Sequence, residues 1–416
     1  MQRYPGRVPK QLRFMKYLRA VGVFVGVAAL LLGISFSSPA LRPLSWQSDD
    51  AIARAQVLLC SDKTDEEQKE ICYQKNIPTL IGSGLSMERT FGVVRRVLAL
   101  DRGYKSCHVL AHLIASREVA RDPAAWKDVI VRSPMDICES GAAHGAFQER
   151  FSTESMPDAT TDELVALLDG VCDARAGWSP TFLARSSCLH GLGHLFLYVT
   201  AADVQKSVAL CGILGKRPDF DFSYTCTEGV FMQLYQPLGP EDENLIHAIK
   251  DAAWDTRTFC AQFKGLAYNA CVKEGWPAVK DSTTDPKVFE RLCRQIPDTG
   301  ESLYCAKGLM YPVVGALHYD VKKIEAFCNA LSSLDLRNIC WARTASKFIW
   351  TDSTNAGDTL AVCYAAPQES QGACWGELIN HAEVGMEKDS PDTRALCSGM
   401  PEPYRSTCIT GTTGTI

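Results

Sequence analysis

Cys293-Arg-Gln-Ile-Pro-Asp-Thr-Gly-Glu-Ser-Leu-Tyr-Cys305 shows the unit from which this 416-residue chain is built. Cysteine pairs of this kind, 11 to 16 residues apart, recur along the sequence, and from Cys260 onward a new pair begins every 33 to 35 residues. Such a period predicts an array of structural repeats. The other predicted pairs are Cys60 with Cys72, Cys172 with Cys188, Cys211 with Cys226, Cys260 with Cys271, Cys328 with Cys340, Cys363 with Cys374 and Cys397 with Cys408.

Each unit is predicted to be a hairpin of two helices joined by a disulfide. The first helix begins with a capping signal, such as Asp285-Pro286, and ends near its cysteine, while the second helix holds the other cysteine in its first turns. Closing a loop of this size adds about 3 kcal/mol to stability. Because two short helices cannot bury their apolar faces alone, neighbouring hairpins must stack. The sequence therefore predicts an all-α protein, an α-solenoid of disulfide-stapled helical hairpins with repeats of about 35 residues.

Two cysteines, Cys107 and Cys138, have no partner nearby in the sequence. Each stands where the second cysteine of a unit is expected, ahead of a segment that carries histidine. We therefore predict that these two cysteines pair with each other and join adjacent repeats.

The cysteine content and the N-terminus both indicate export. Eighteen cysteines in regular pairs are typical of a protein that folds in an oxidising compartment. Residues 1–36 combine a basic region with an apolar run from Ala20 to Ile34, which fits either a signal peptide or an uncleaved signal-anchor helix. The predicted protein is membrane-anchored through this helix and faces the periplasm or extracellular space, or it is secreted if the N-terminus is cleaved.

The rest of the chain divides into three segments. Residues 37–50 are predicted to be a linker, residues 51–171 to be N-terminal helical repeats with histidine-rich segments, and residues 172–416 to be regular cysteine-paired repeats. A net charge of -5 argues against nucleic acid as a partner. The sequence also contains no Cys-x-x-Cys-His motif for haem, no Gly-x-Ser-x-Gly motif and no P-loop.

Five of the eight histidines fall in three short segments. Histidines four residues apart on a helix share one face and can hold one ion together; the second such pair follows a helix start predicted at Ser179-Pro180. When the second helices are aligned on their cysteines, the last histidine of two segments falls six residues after the cysteine, and equivalent positions of a solenoid are neighbours in space. These patterns predict a metal site formed by His108, His112, His144, His190 and His194.

Imidazole is the natural ligand here because oxidised cysteines supply no thiolate. It suits transition-metal ions, among which we favour copper or zinc, and Met232 would favour copper if it joined the site. Glu139, Gln148 and Glu149 lie close enough in sequence to orient the ligands or to complete their shell. The alternatives are that the histidines are satisfied polar packing residues or that they line a metal-free ligand groove.

Two classes of function follow from these patterns. In the first, the protein is a helical-repeat binding or scaffold protein that holds a protein or peptide partner on its concave face and carries the metal site. In the second, it is a metal-dependent enzyme that uses copper, zinc or iron for hydrolysis or oxygen chemistry, with Glu139 or Glu149 as general base. The binding protein is favoured because most of the chain carries repeats without recognisable chemistry.

Overall fold

The computed structural model describes residues 43–412 except positions 64, 102–103, 105–106, 152–155, 157, 176, 237–239, 248, 250–254, 278–281 and 297. Within this part of the chain the fold is all-α, and three isolated β-bridges are its only strand-like pairs. The predicted signal or anchor helix at residues 1–36 lies outside the described residues. None of the helices that are described is both long enough and apolar enough to cross a bilayer.

The α-helices follow one another along the chain, with single 3-10 turns at Leu44–Trp46, Pro123–Ala125 and Cys138–Ser140. Their bounds are α1 (Asp49–Cys60), α2 (Glu66–Asn76), α3 (Thr79–Gly82), α4 (Met87–Leu100), α5 (His108–Arg121), α6 (Trp126–Arg132), α7 (Gly141–Phe151), α8 (Thr161–Leu168), α9 (Phe182–Val199), α10 (Val204–Leu214), α11 (Ser223–Tyr235), α12 (Pro240–His247), α13 (Thr256–Cys260), α14 (Leu266–Glu274), α15 (Pro286–Cys293), α16 (Thr299–Ala316), α17 (Val321–Asn329), α18 (Leu334–Thr351), α19 (Ala356–Ala365), α20 (Gln368–Gly385), α21 (Pro391–Ser398) and α22 (Tyr404–Thr412).

All nine predicted disulfides are formed, with Cα–Cα distances from 5.0 to 5.8 Å, and no cysteine is free. Eight of them close a short loop, and the ninth joins Cys107 to Cys138, which are 31 positions apart. The eight short bonds join Cys60 to Cys72, Cys172 to Cys188, Cys211 to Cys226, Cys260 to Cys271, Cys293 to Cys305, Cys328 to Cys340, Cys363 to Cys374 and Cys397 to Cys408. The predicted pairing is therefore confirmed for every cysteine.

The hairpin of α15 and α16 shows how the local sequence sets one unit. The side chain of Asp285 accepts a hydrogen bond from the backbone N–H of Lys287, Pro286 occupies the first helical position, and Cys293 ends the helix. The disulfide then links this end of α15 to Cys305 in α16.

The second helices of the hairpins pack against one another in chain order. Contacts run from α5 to α7, α9, α11, α14, α16, α18, α20 and α22. Glycine permits the closest of these approaches, because a Cβ atom added at Gly193 of α9 would lie 1.9 Å from the carbonyl oxygen of Cys226 in α11. This stacking brings residues of successive second helices next to one another.

The C-terminal hairpins contact the N-terminal ones. Helix α20 contacts α9, and the residues after α18 reach the turn that precedes α7. There the backbone N–H of Ser353 donates to the carbonyl oxygen of Asp136 at 3.1 Å, and Asp352 forms an isolated bridge with Ile137. Arg95 of α4 adds an ion pair to Asp352 at 3.0 Å. The histidine-bearing repeats are therefore also in contact with repeats near the end of the chain.

Two local predictions need correction. The helix expected to start at Ser179-Pro180 begins at Phe182, because the side chain of Thr181 provides its N-terminal cap. The helix with His144 begins only at Gly141, because Cys138 and the two residues after it have φ angles of 52°, 55° and 58°, in the left-handed region.

Candidate metal centre

Three neighbouring helices bring the five histidines together. Helix α5 begins at His108 and carries His112 one turn later, α7 carries His144, and α9 carries His190 and His194. Each pair at four-residue spacing lies on one face of its helix. Because α7 contacts both α5 and α9, its histidine lies between the two pairs.

The distances between the rings are short. The Nε2 atoms of His108 and His112 are 3.1 Å apart. The ring centroid of His144 lies 5.3 Å from that of His108, 5.2 Å from that of His112, 5.3 Å from that of His190 and 5.2 Å from that of His194. The structure therefore brings all five predicted ligands into one cluster, with His144 in its middle.

Backbone carbonyl groups determine the tautomers of His108 and His144. The Nδ1 atom of His108 lies 3.2 Å from the carbonyl oxygen of Cys138, and the Nε2 atom of His144 lies 2.9 Å from that of Ser187. A carbonyl oxygen only accepts hydrogen bonds, so these two ring nitrogens donate. In the neutral imidazole the other nitrogen then carries the lone pair, which is Nε2 in His108 and Nδ1 in His144.

The same reasoning applies to the pair on α9. The Nδ1 atom of His190 lies 3.1 Å from the carbonyl oxygen of Thr225, and the Nδ1 atom of His194 lies 2.8 Å from Oε1 of Gln233. Both groups are oxygen acceptors from α11, so each ring donates through Nδ1 and keeps its lone pair on Nε2. A histidine oriented in this way by a second hydrogen bond is the usual form of a metal ligand.

The histidines are neutral at neutral pH. His112, His144 and His194 are buried, whereas His108 and His190 are partly exposed. Burial lowers the pKa of all five rings, to about 4 for His194. In His112 and His144 the neighbouring imidazoles lower the pKa further. Neutral imidazole is the form that binds metal ions.

Three buried ring nitrogens of the cluster find no hydrogen-bond partner among the residues that the structure describes: Nδ1 of His112, Nδ1 of His144 and Nε2 of His194. The nitrogens of His144 and His194 are those to which the neighbouring carbonyl and amide groups assign the lone pairs. A buried acceptor left in this state costs about 1–3 kcal/mol, and a bound cation would remove that cost.

One subset of the cluster is close enough to share an ion. Among the described residues, one group of at least three possible ligands has its ligand atoms within 4.8 Å of one another. This group is His108, His112 and His144. An imidazole nitrogen lies about 2.0–2.1 Å from a zinc ion, so the ligands of one ion are at most about 4 Å apart. A small rotation of the side chains would bring these three to that distance. His190 and His194 lie outside the group.

Glycines on α7 and α9 make room for the rings. A Cβ atom at Gly191 would lie 2.6 Å from Cδ2 of His144, and one at Gly141 would lie 3.1 Å from Cδ2 of His112. Both distances are shorter than an ordinary contact. Each of these glycines lies three residues after a cysteine, Cys138 or Cys188, and accommodates an imidazole ring as well as close helix packing.

The two glutamates named by the sequence differ in position. Glu139 lies in the left-handed turn before α7, where its carboxylate forms an ion pair with Lys347 and acts electrostatically on His108. Burial opposes its ionisation, but Lys347 keeps the pKa of Glu139 below its ordinary value. Glu149 follows His144 by five residues, which is about 140° around the helix. This angle turns Glu149 away from the face of α7 that carries His144, so Glu139 is the carboxylate that belongs to the cluster.

Several residues of the site were not predicted from the sequence. Gln233, and not the neighbouring Met232, forms the hydrogen bond with His194. Lys347 comes from α18 and reaches the site only because the C-terminal repeats fold back. When the helices are aligned on their cysteines, Met232 is the position equivalent to His194, and Gln233 is the next residue on the same turn. This alignment could have suggested Gln233. Nothing in the local sequence indicated Lys347.

The chain matches no protein-family model, no curated protein and no solved structure.

Proposed function

We propose that this chain is an exported, membrane-tethered helical-repeat protein that binds a transition-metal ion at His108, His112 and His144. The hairpins would form an α-solenoid, and the repeats outside the histidine cluster would hold a protein or peptide partner. Nine disulfides support an oxidising compartment. The basic and apolar segment at residues 1–36 supports tethering.

The observation that carries the metal site is the direction of the lone pairs. Nε2 of His108 and Nδ1 of His144 are left without a proton because the other nitrogen of each ring donates to a carbonyl oxygen. His112 places its Nε2 atom 3.1 Å from Nε2 of His108. The ligand atoms of these three rings lie within 4.8 Å of one another.

The chemistry of this ligand set favours zinc or copper. All ligands are nitrogen, because every cysteine sulfur is in a disulfide. Three imidazoles leave one position of a tetrahedral ion for water or another ligand. The competing interpretation is polar packing, in which His112 donates a hydrogen bond from Nε2 to Nε2 of His108 and no ion is present.

Metal analysis of purified protein separates these interpretations. The untagged protein, exported to an oxidising compartment, is expected to contain close to one equivalent of zinc or copper per chain. His112→Ala should lose that ion. His381→Ala is the matched control, because His381 is also buried but bonds to Ser346 away from the cluster. Absence of metal from the parent after incubation with Zn²⁺ or Cu²⁺ would rule out the site.

A metal-dependent enzyme is the second candidate. Three histidine ligands with an open position, on a side where His108 is partly exposed, would suit an ion that activates water or oxygen. Glu139 would be the general base, but its ion pair with Lys347 must first open. Ester hydrolysis by the zinc-loaded protein and oxygen consumption by the copper-loaded protein test this candidate. Rates no higher than those of His112→Ala would leave only the binding role.

A further inference from the structure

His190 and His194 form a second pair of ligands beside the first group. They lie four residues apart on α9, and their ring centroids are 5.0 Å apart. Across the cluster, the ring centroids of His112 and His194 are 6.4 Å apart. Neither histidine belongs to the group of three whose ligand atoms lie within 4.8 Å of one another, so in this geometry the pair does not share an ion with that group.

The lone pairs of this pair are directed in the same way as those of the first group. Both rings donate from Nδ1 to an oxygen on α11, which leaves Nε2 of each ring as the acceptor. His194 is 6% exposed, and its Nε2 atom has no hydrogen-bond partner in the described part of the chain. A buried acceptor without a donor, next to a second imidazole, indicates that this pair binds a cation.

His144 cannot serve both sides of the cluster. Its Nε2 atom donates to the carbonyl oxygen of Ser187, so it has a single lone pair, on Nδ1. One lone pair binds one ion. If His144 completes the group with His108 and His112, then His190 and His194 are left with two free lone pairs of their own.

We propose that His190 and His194 hold a second transition-metal ion next to the first, so that the metal centre is dinuclear. This inference rests on the proposed function of the first group. The second ion has two imidazole ligands from the protein, and water or a small anion completes its coordination shell.

The number of protein ligands predicts the order of binding. A lysine that is paired with carboxylate lies near each site, Lys347 with Glu139 beside His108 and Lys273 with Glu228 and Glu274 beside His190. These charges therefore do not favour one site over the other. The first ion has three imidazole ligands and the second has two, so the first should bind more tightly.

Stoichiometric titration of the metal-free full-length protein with Co²⁺ tests the proposal. The absorbance of Co²⁺ and elemental analysis after gel filtration give the number of bound ions. The parent should bind two equivalents, and His190→Ala/His194→Ala should bind one. His381→Ala should keep two. One equivalent in both the parent and the double variant would overturn the dinuclear centre and leave the first site intact, whereas none in the parent would overturn both.

A milder substitution guards against misfolding of the double variant. Gln233→Leu removes the acceptor that orients His194 but leaves every imidazole in place. Loss of such an outer partner weakens a metal site about 10-fold to 100-fold. The second equivalent should weaken by that factor, and the first should change less than about twofold. An unchanged second equivalent in Gln233→Leu would overturn the assignment of that ion to this pair.

Discussion

Lys347, near the C-terminal end of α18, forms an ion pair with Glu139, in the turn that leads into the histidine-bearing helix α7. The side chains are only 9% and 16% exposed. The turn also provides the carbonyl oxygen of Cys138 to which His108 donates. A contact between distant hairpins thus helps to fix the orientation of a proposed metal ligand.

The Lys347 and Glu139 pair can be tested with a double-mutant cycle. Lys347→Met leaves the carboxylate of Glu139 largely buried without its partner, and breaking a buried pair in this way costs about 3–5 kcal/mol. Lys347→Met/Glu139→Gln removes both charges and should recover most of that loss. Chemical denaturation of the parent, the two single variants and the double variant measures the coupling. Additive losses of free energy would show that the pair does not act as a unit.

The disulfide between Cys107 and Cys138 should affect the metal centre as well as stability. Cys107 directly precedes His108, and Cys138 supplies the hydrogen-bond acceptor of that ring. Cys107→Ala/Cys138→Ala should lower the free energy of unfolding by about 2–5 kcal/mol and also lower the metal content.

The disulfide between Cys363 and Cys374 provides the control. It joins α19 to α20, and its cysteines are 11 residues apart. Cys363→Ala/Cys374→Ala should destabilise the protein, by the same order of magnitude, and leave the metal content unchanged. Equal metal loss in both double variants would mean that the effect is general unfolding. Guanidinium titration and elemental analysis of the same samples give both quantities.

Local sequence patterns predicted the hairpins well because eight of the nine disulfides join cysteines that are only 11 to 16 residues apart. The spacing of Cys293 and Cys305 contains the end of one helix, a turn and the start of the next, so the unit is visible in a short segment. The meeting of His144 with His194 also followed from their equivalent positions relative to a cysteine, because equivalent positions on stacked helices are neighbours.

Features that depend on the path of the whole array were not predictable. The reach of Lys347 to Glu139 and the bridge between Ile137 and Asp352 require the C-terminal repeats to return to the N-terminal ones. That return depends on how all the intervening hairpins pack against one another, which no single hairpin specifies. The left-handed turn that begins at Cys138 was not predictable for another reason. Residues other than glycine rarely adopt positive φ angles, and no strong local sequence pattern marks those that do.

Acid should destabilise the metal-free protein through buried histidines, and His381 isolates one such contribution. Burial lowers its pKa to about 3, and the positive charge of Arg343 acts in the same direction. In the unfolded chain the ring has a pKa of about 6.5. Above about pH 6.5 the ring is neutral in both states, so it does not change the free energy of unfolding. As the pH falls from about 6.5 towards 3, only the unfolded state gains the proton. The stability is therefore present at neutral pH and is lost towards acid, by up to about 1.4 kcal/mol per pH unit.

His381→Gln should reduce the number of protons taken up on unfolding by about one between about pH 6 and pH 4, so the free energy of unfolding should depend less steeply on pH. The measurement is the free energy of unfolding by urea across that range, in metal-free protein. His247→Gln is the control, because His247 is exposed at the end of α12. Identical slopes for the parent and His381→Gln would contradict a buried neutral ring at this position.

A single methyl group should be able to displace a metal ligand. In Gly191→Ala the new Cβ atom would lie 2.6 Å from Cδ2 of His144 and 3.2 Å from Cδ2 of Phe147, so the imidazole ring must move. Overpacking of this kind costs about 1–3 kcal/mol, and the lost alignment should lower zinc affinity at least about 10-fold. Gly212→Ala is the matched control, since Gly212 also lies within a helix but a Cβ atom there meets nothing within 4 Å. Alanine should stabilise that helix by up to about 1 kcal/mol and leave zinc binding unchanged. If Gly191→Ala bound zinc as tightly as Gly212→Ala, His144 could not be a ligand in its present orientation.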